Sequence, residues 1–121
     1  MDIFRKAIRI LMLACSVMHI CSCQSKPIKA LVVSGQNNHN WQVSHKVLKQ
    51  ILDNSGLFVT DIALTAPAGG DMTTFKPDFS QYDVVVLDYN GDRWPAETDS
   101  AFVKYVRKGG GVVIYHAADN A

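Results

Sequence analysis

The sequence predicts an open, doubly wound α/β protein built on a parallel sheet, and three observations carry that prediction. The segments "IKALVV", "YDVVVLDY" and "GGVVIYH" are nearly continuous apolar runs rich in branched residues, as expected of strands covered on both faces. Amphipathic stretches with helix start and stop signals lie between strands. The element order is then β-α-β-β-α-β, and right-handed crossovers make the bridged strands parallel. A ferredoxin-like split shares this order and is the structural rival. It is disfavoured because its strands would alternate between apolar and polar residues.

Each element has its own signal. Ile28 to Val33 form the first strand. Val43, Val47, Leu48, Ile51 and Leu52 then recur at helical spacing, with Asn40 placed as N-cap and Gly56 as the stop. "LFVTDIAL" is the second strand. The connection "TAPAGGDMTTFKPDFSQ" carries Pro67, Gly69, Gly70 and Pro77, and connections of this length are usually functional or mobile. "YDVVVLDY" is the third strand. Pro95 suits the first turn of the next helix, Glu97 and Asp99 favour its positive end, and Lys104, Arg107 and Lys108 favour its negative end. Gly109 stops it before the fourth strand. Two helices cannot cover both faces of four such strands. The apolar edge "GVVIY" also invites pairing. Both features lead to the expectation that the domain continues beyond Ala121, or that a second copy or partner chain covers that edge.

Composition narrows the function classes. The 121 residues amount to one domain at most, and 12 basic against 11 acidic side chains leave no nucleic-acid footprint. All three cysteines, Cys15, Cys21 and Cys23, lie in the first 23 residues. There, Arg5, Lys6 and Arg9 precede "ILMLACSVMHI", an apolar stretch too short for a spanning helix of about 20 residues. This reads as an export signal. "ICSC" resembles a bacterial lipobox, so cleavage would leave Cys23 as a lipid-modified N-terminus on the tether 24–27. A plain signal peptide is the alternative, and Cys15 a poorer lipidation site. Either reading places the mature chain outside the cytoplasm, in the cell envelope, without a disulfide framework.

In open parallel sheets, ligands bind beyond the carboxyl ends of the strands. Three polar clusters fall at such ends: "GQNNHNW", "NGDRW" and "HAADNA". No dinucleotide fingerprint and no phosphate-loop lysine occurs. His39 and His116 are candidate acid/base groups because an imidazole titrates near neutrality, and Asp119 is placed to orient His116. Two histidines and one acid can also hold a divalent metal, although the spacing matches no known metal motif; no cofactor is otherwise expected. Trp41 and Trp94 offer indole faces suited to the C–H faces of sugar rings. Asn38, Asn40, Asn90 and Asp92 offer hydrogen bonds to hydroxyls. Plainer roles compete: a helix cap for His39, packing for Trp94, turn chemistry for "NGD", a solvated surface for His45, and backbone capping for Asp88.

The blocks "KALVVSGQNNHNW…VLKQILDNSGLFVTDI", "FSQYDVVVLDYNGDRWP" and "FVKYVRKGGGVVIYHAAD" resemble the ThuA-like (trehalose utilisation) family across 28–121. The resemblance covers about the first half of the usual domain. It implies a flavodoxin-like sheet, as in class I glutamine amidotransferases, and a role with disaccharides or keto-sugar derivatives. Amidotransferases carry a nucleophilic cysteine on a tight turn after a strand; the comparable turn here is "YHAAD". With no thiol after Cys23, glutamine hydrolysis of that kind is not expected. An enzyme acting on a small carbohydrate, a non-catalytic sugar-binding module and a truncated product without independent activity are the three readings carried forward.

Overall fold

The computed structural model describes residues 25–119. The export signal, the lipobox and Cys23 lie outside the described residues. Four strands form one sheet in the order β2-β1-β3-β4: β1 is Ile28–Ser34, β2 Phe58–Leu64, β3 Val84–Leu87 and β4 Gly111–Ile114. Every pairing is parallel. A ferredoxin-like split is therefore excluded, and the flavodoxin-like reading of an α/β sheet holds. Among the described residues, no helix is long and apolar enough to cross a membrane.

The central strand explains why its sequence is uninterruptedly apolar. β1 lies between β2 and β3, and Ala30 to Ser34 are all buried. Helix α1, Trp41–Asn54, packs on β1 and β2. Helix α2, Ala96–Arg107, covers the opposite face. There Tyr105 and Phe102 pack with Leu31, Val33, Val85, Phe75 and Phe79 in the main hydrophobic cluster. Phe75 and Phe79 come from the long connection after β2. That connection is a plug in the core rather than a free loop, since both rings are buried in the cluster.

Helix ends follow the predicted signals in part. Gly109, with φ 90°, closes α2: its N–H donates to Val106 at 2.9 Å and the Gly110 N–H to Tyr105 at 3.1 Å. This pair of bonds is a Schellman motif, which needs a left-handed residue at that point. Glu97 and Asp99 sit in the first turn of α2, with Lys104 and Arg107 in its last. Asn40 does precede α1, but it caps with its backbone carbonyl, which accepts from Val43 and Ser44, and its side chain makes no capping bond.

One expectation needs correction. His45 is not solvated: it is 5% exposed, and its Nδ1 lies 2.5 Å from the Trp41 carbonyl one turn back. The apolar stripe of α1 is only partly buried, with Val43, Val47 and Ile51 exposed, and Val112 to Ile114 on β4 and Tyr115 just after it are exposed too. The single helix on that face reaches β1 and β2 but leaves β4 uncovered, as the helix count predicts.

Candidate functional site

Parallel register sets the rim. Val33, Leu87 and Ile114 stand side by side on β1, β3 and β4, so the loops after these strands leave the sheet at the same height. The structure thereby brings together the three polar clusters, at 35–41, 90–94 and 116–121, that lie apart in the sequence. They do not form one basin but two neighbouring clefts, which share Asn37 in their walls.

The first cleft holds the histidines. The His39 and His116 rings meet edge to face with centroids 4.6 Å apart. They open on a cleft of about 400 Å³ whose polar wall is Asn37, Asn40, Ser44 and Asp88, and whose apolar wall is Val43, Val47 and Tyr115. His116 follows β4 directly and has φ 46°. Left-handed backbone is uncommon for a residue with a Cβ, and sites of chemistry are where it concentrates. A short 3-10 turn, His116–Asp119, completes a strand, tight turn and helical turn. The residue at the turn is an imidazole, not a thiol. Asp119, three residues on, is exposed.

The carboxylate beside the histidines is Asp88, which is 1% exposed. Its Oδ2 accepts from Ser34 Oγ at 3.0 Å and from Ser44 Oγ at 2.5 Å, and its Oδ1 accepts from Asn37 Nδ2 at 3.1 Å. Side-chain donors thus replace the backbone amides expected for this residue. The reason is register: Ser34 and Asp88 follow the aligned Val33 and Leu87, so both point at α1, where Ser44 waits. A buried carboxylate without hydrogen bonds would be costly, and three donors offset that cost.

The second cleft, about 520 Å³, is lined by Asn38, Trp41, Asn90 and Asp92 together with Gln36 and Pro67. Gln36 braces it. Its Oε1 accepts from the Asp92 N–H at 2.8 Å, its Nε2 donates to the Ala66 carbonyl at 2.8 Å, and its carbonyl accepts from the Asn90 N–H at 2.9 Å. Gly91 is required by this arrangement, since a Cβ there would stand 2.3 Å from Gln36 Oε1. One carboxylate oxygen of Asp92 already accepts from the Gly69 N–H at 2.6 Å. Tyr89 donates its hydroxyl to the Asp92 carbonyl at 2.5 Å. Burial, with the nearby Asp92 charge adding to it, pushes the acidity of that hydroxyl to higher pH.

Trp94 lines neither cleft. Its ring lies 5.5–6.0 Å from those of Phe75, Phe79, Tyr89 and Phe102, within the aromatic core. Among the described residues its Nε1 has no hydrogen-bond partner. Gln36 and Asn37 belong to the polar cluster "GQNNHNW" but had no individual role assigned from the sequence; Ser44 sits among ordinary helix residues, and only register reveals it. Among the described residues, no three His, Cys, Asp or Glu side chains group closely enough to hold a metal ion. A larger hollow of about 730 Å³ lies at the amino ends of β3 and β4, between 76–83 and α2, away from the histidines.

Strand order, parallel register and a polar rim at the carboxyl ends define a flavodoxin-like α/β protein with a rim site. The model of the ThuA family, described as trehalose utilisation, matches residues 29–121, and the chain belongs to that family. It is similar to the crystal structure of a ThuA-like protein from Parabacteroides merdae, at 66% identity and a TM-score of 0.78. That likeness covers 79% of this chain and 34% of the other, so the chain spans about a third of its solved relative. No curated protein matches it.

Proposed function

We propose that the rim binds a carbohydrate or keto-sugar derivative and that the His39–His116 pair moves a proton at a sugar carbonyl or glycosidic carbon. The observation that carries this reading is the edge-to-face contact of the two imidazoles, 4.6 Å between centroids, in a cleft with amide and hydroxyl groups on one wall. Imidazoles exchange protons near neutral pH, and two in contact can divide the roles of acid and base. Asn38, Asn40, Asn90 and Asp92 supply hydrogen bonds for hydroxyls, and Trp41, half-buried beside them, supplies an apolar ring. Membership of a trehalose-utilisation family supports a sugar as the ligand. Asp119 is left as an accessory acid at the mouth.

The same proposal places the mature chain outside the cytoplasm, tethered to the membrane through lipid on Cys23. The support is the basic and apolar leader ending in "ICSC". The exposed Val112 to Ile114 on β4 support a further strand or a second chain along that edge. Glutamine amidotransfer is not part of the proposal, because the turn after β4, where such enzymes carry a cysteine, carries His116.

Titrating the ¹⁵N-labelled protein with trehalose, glucose and 3-ketoglucose tests the binding half. Shifts confined to the amides of 36–41, 88–92 and 115–118 are expected for at least one sugar. Shifts absent for all three sugars, or scattered over the amino ends of the strands, would sink it. A sugar-binding module without catalysis would show the same shifts, with His116→Ala leaving affinity intact and no turnover by the wild type.

A further inference from the structure

We infer that Asp88 is a positioning residue: it holds the His39 loop against His116 through the side-chain amide of Asn37. The relay begins at a buried carboxylate anchored by two hydroxyls, Ser34 on β1 and Ser44 on α1. The carboxylate's second oxygen takes the Nδ2 of Asn37 at 3.1 Å. The other end of that amide, Oδ1, accepts the backbone N–H of His39 at 3.0 Å.

The chemistry of the two ends makes the relay directional. An ionised carboxylate only accepts hydrogen bonds, and a backbone N–H only donates. Asn37 stands between an obligatory acceptor and an obligatory donor, so its amide has one orientation that satisfies both. Serine hydroxyls can rotate to suit either partner, and they leave the carboxylate's Oδ1 free for the amide. Asp88 sits at the end of β3, the strand paired with both β1 and β4. A group there is fixed relative to the turn that carries His116. The exposed loop bearing His39 is thereby referenced to the same rigid strand. Loops with few buried contacts need such an anchor to hold a ring within reach of its partner.

Asp88→Ala is the informative change because it removes the acceptor outright. An asparagine at 88 can turn its NH₂ to the serine hydroxyls, which accept as well as donate, and keep its oxygen on Asn37, so it leaves the relay intact. With alanine there, the Asn37 amide has no acceptor to fix its orientation, and its hold on the His39 N–H is lost.

This inference rests on reading the His39–His116 pair as the reactive centre, but its test uses no sugar, so the two can fail separately. The full-length protein is compared with Asp88→Ala, Asn37→Ala and the double variant by NMR. The wild type should show a ring-to-ring nuclear Overhauser effect between His39 and His116 and slowed exchange of the His39 amide. Each single variant should lose the ring contact and exchange the His39 amide roughly two- to tenfold faster, the range set by one net hydrogen bond. The double variant should exchange it no faster than the more affected single, because both changes cut one relay. The amides of Val32 and Val86 report whether the sheet survives. If Asp88→Ala unfolds the sheet, Asn37→Ala, at a half-buried loop position, decides alone. A retained ring contact and unchanged His39 exchange in a folded variant would overturn the inference. So would additive effects in the double variant.

Discussion

Under α2 the sheet is packed with rings: Phe75, Phe79, Phe102, Tyr105 and Trp94 close over Leu31, Val33 and Val85. Under α1 the same strands bury Ser34, Thr60 and Asp88, and the helix itself adds a buried His45. Alternation of side chains along β1 and β3 sends successive residues to opposite faces, so one strand serves both. The aromatic face holds apolar area and dispersion contacts. The polar face holds groups whose burial costs free energy unless each finds a partner. The comparison teaches where each property resides: stability on the α2 side, and the carboxylate that reaches the rim on the α1 side. Substitutions on the two faces should therefore differ in kind as well as in size.

The largest effect should come from Phe79→Ala. Phe79 is fully buried at the centre of the aromatic face, and losing such a ring costs about 3–5 kcal/mol. Urea unfolding should register that loss, enough to unfold a small domain. Asp88→Ala should cost less, about 1–3 kcal/mol, because three donors lose their acceptor but little apolar area is exposed. If the Asp88 loss matches the Phe79 loss in urea melts, the division between faces fails.

Smaller effects sharpen the rim. His39→Ala removes an exposed side chain and should shift stability by no more than about 0.5 kcal/mol. His116→Gly should raise stability by about 0.5–1 kcal/mol in thermal melts, since glycine accepts the left-handed φ of 46° without a Cβ penalty. That gain would come with loss of the imidazole, as expected where function holds a residue in strain.

The smallest effect is a pH dependence on the α1 side. The Lys49 ammonium and the Thr60 N–H both bond to Asp53 and hold its carboxyl below the ordinary carboxylate range. Because the folded value is the lower one, this stabilisation is present above the unfolded carboxylate pKa and is lost as pH falls through the folded one. Asp53→Asn should flatten the acid limb of a stability profile by slightly lowering stability at neutral pH, while stability below the folded pKa stays unchanged. An unaltered acid limb would show that these bonds do not couple α1 to β2.

Much of the fold was legible in the sequence, for physical reasons. A central parallel strand must be apolar on both faces, so "KALVV" announced its place. Glycines that must adopt left-handed φ announced the helix ends. Phe75 and Phe79 were not legible as core, since they lie in a segment dense with proline and glycine and lack any period. Trp94 shows the converse limit: a tryptophan beside a polar turn looks the same whether it faces solvent or the core. The rim was legible as three loops because strand ends locate it. Its division into two clefts, and the role of Ser44 and Asn37 around Asp88, depend on register and helix placement, which no local pattern carries. His45 was misjudged because one polar residue off an apolar stripe can still fold back onto its own helix carbonyl.

The central claim is that His39 and His116 together move a proton on a sugar. Deuterium uptake from heavy water into 3-ketoglucose, followed by NMR with the full-length protein, tests it most directly. The wild type should catalyse uptake at the carbon beside the carbonyl, and both His39→Ala and His116→Ala should abolish it while remaining folded. Uptake that persists at the wild-type rate in either variant, or that never exceeds the protein-free rate, would contradict the account.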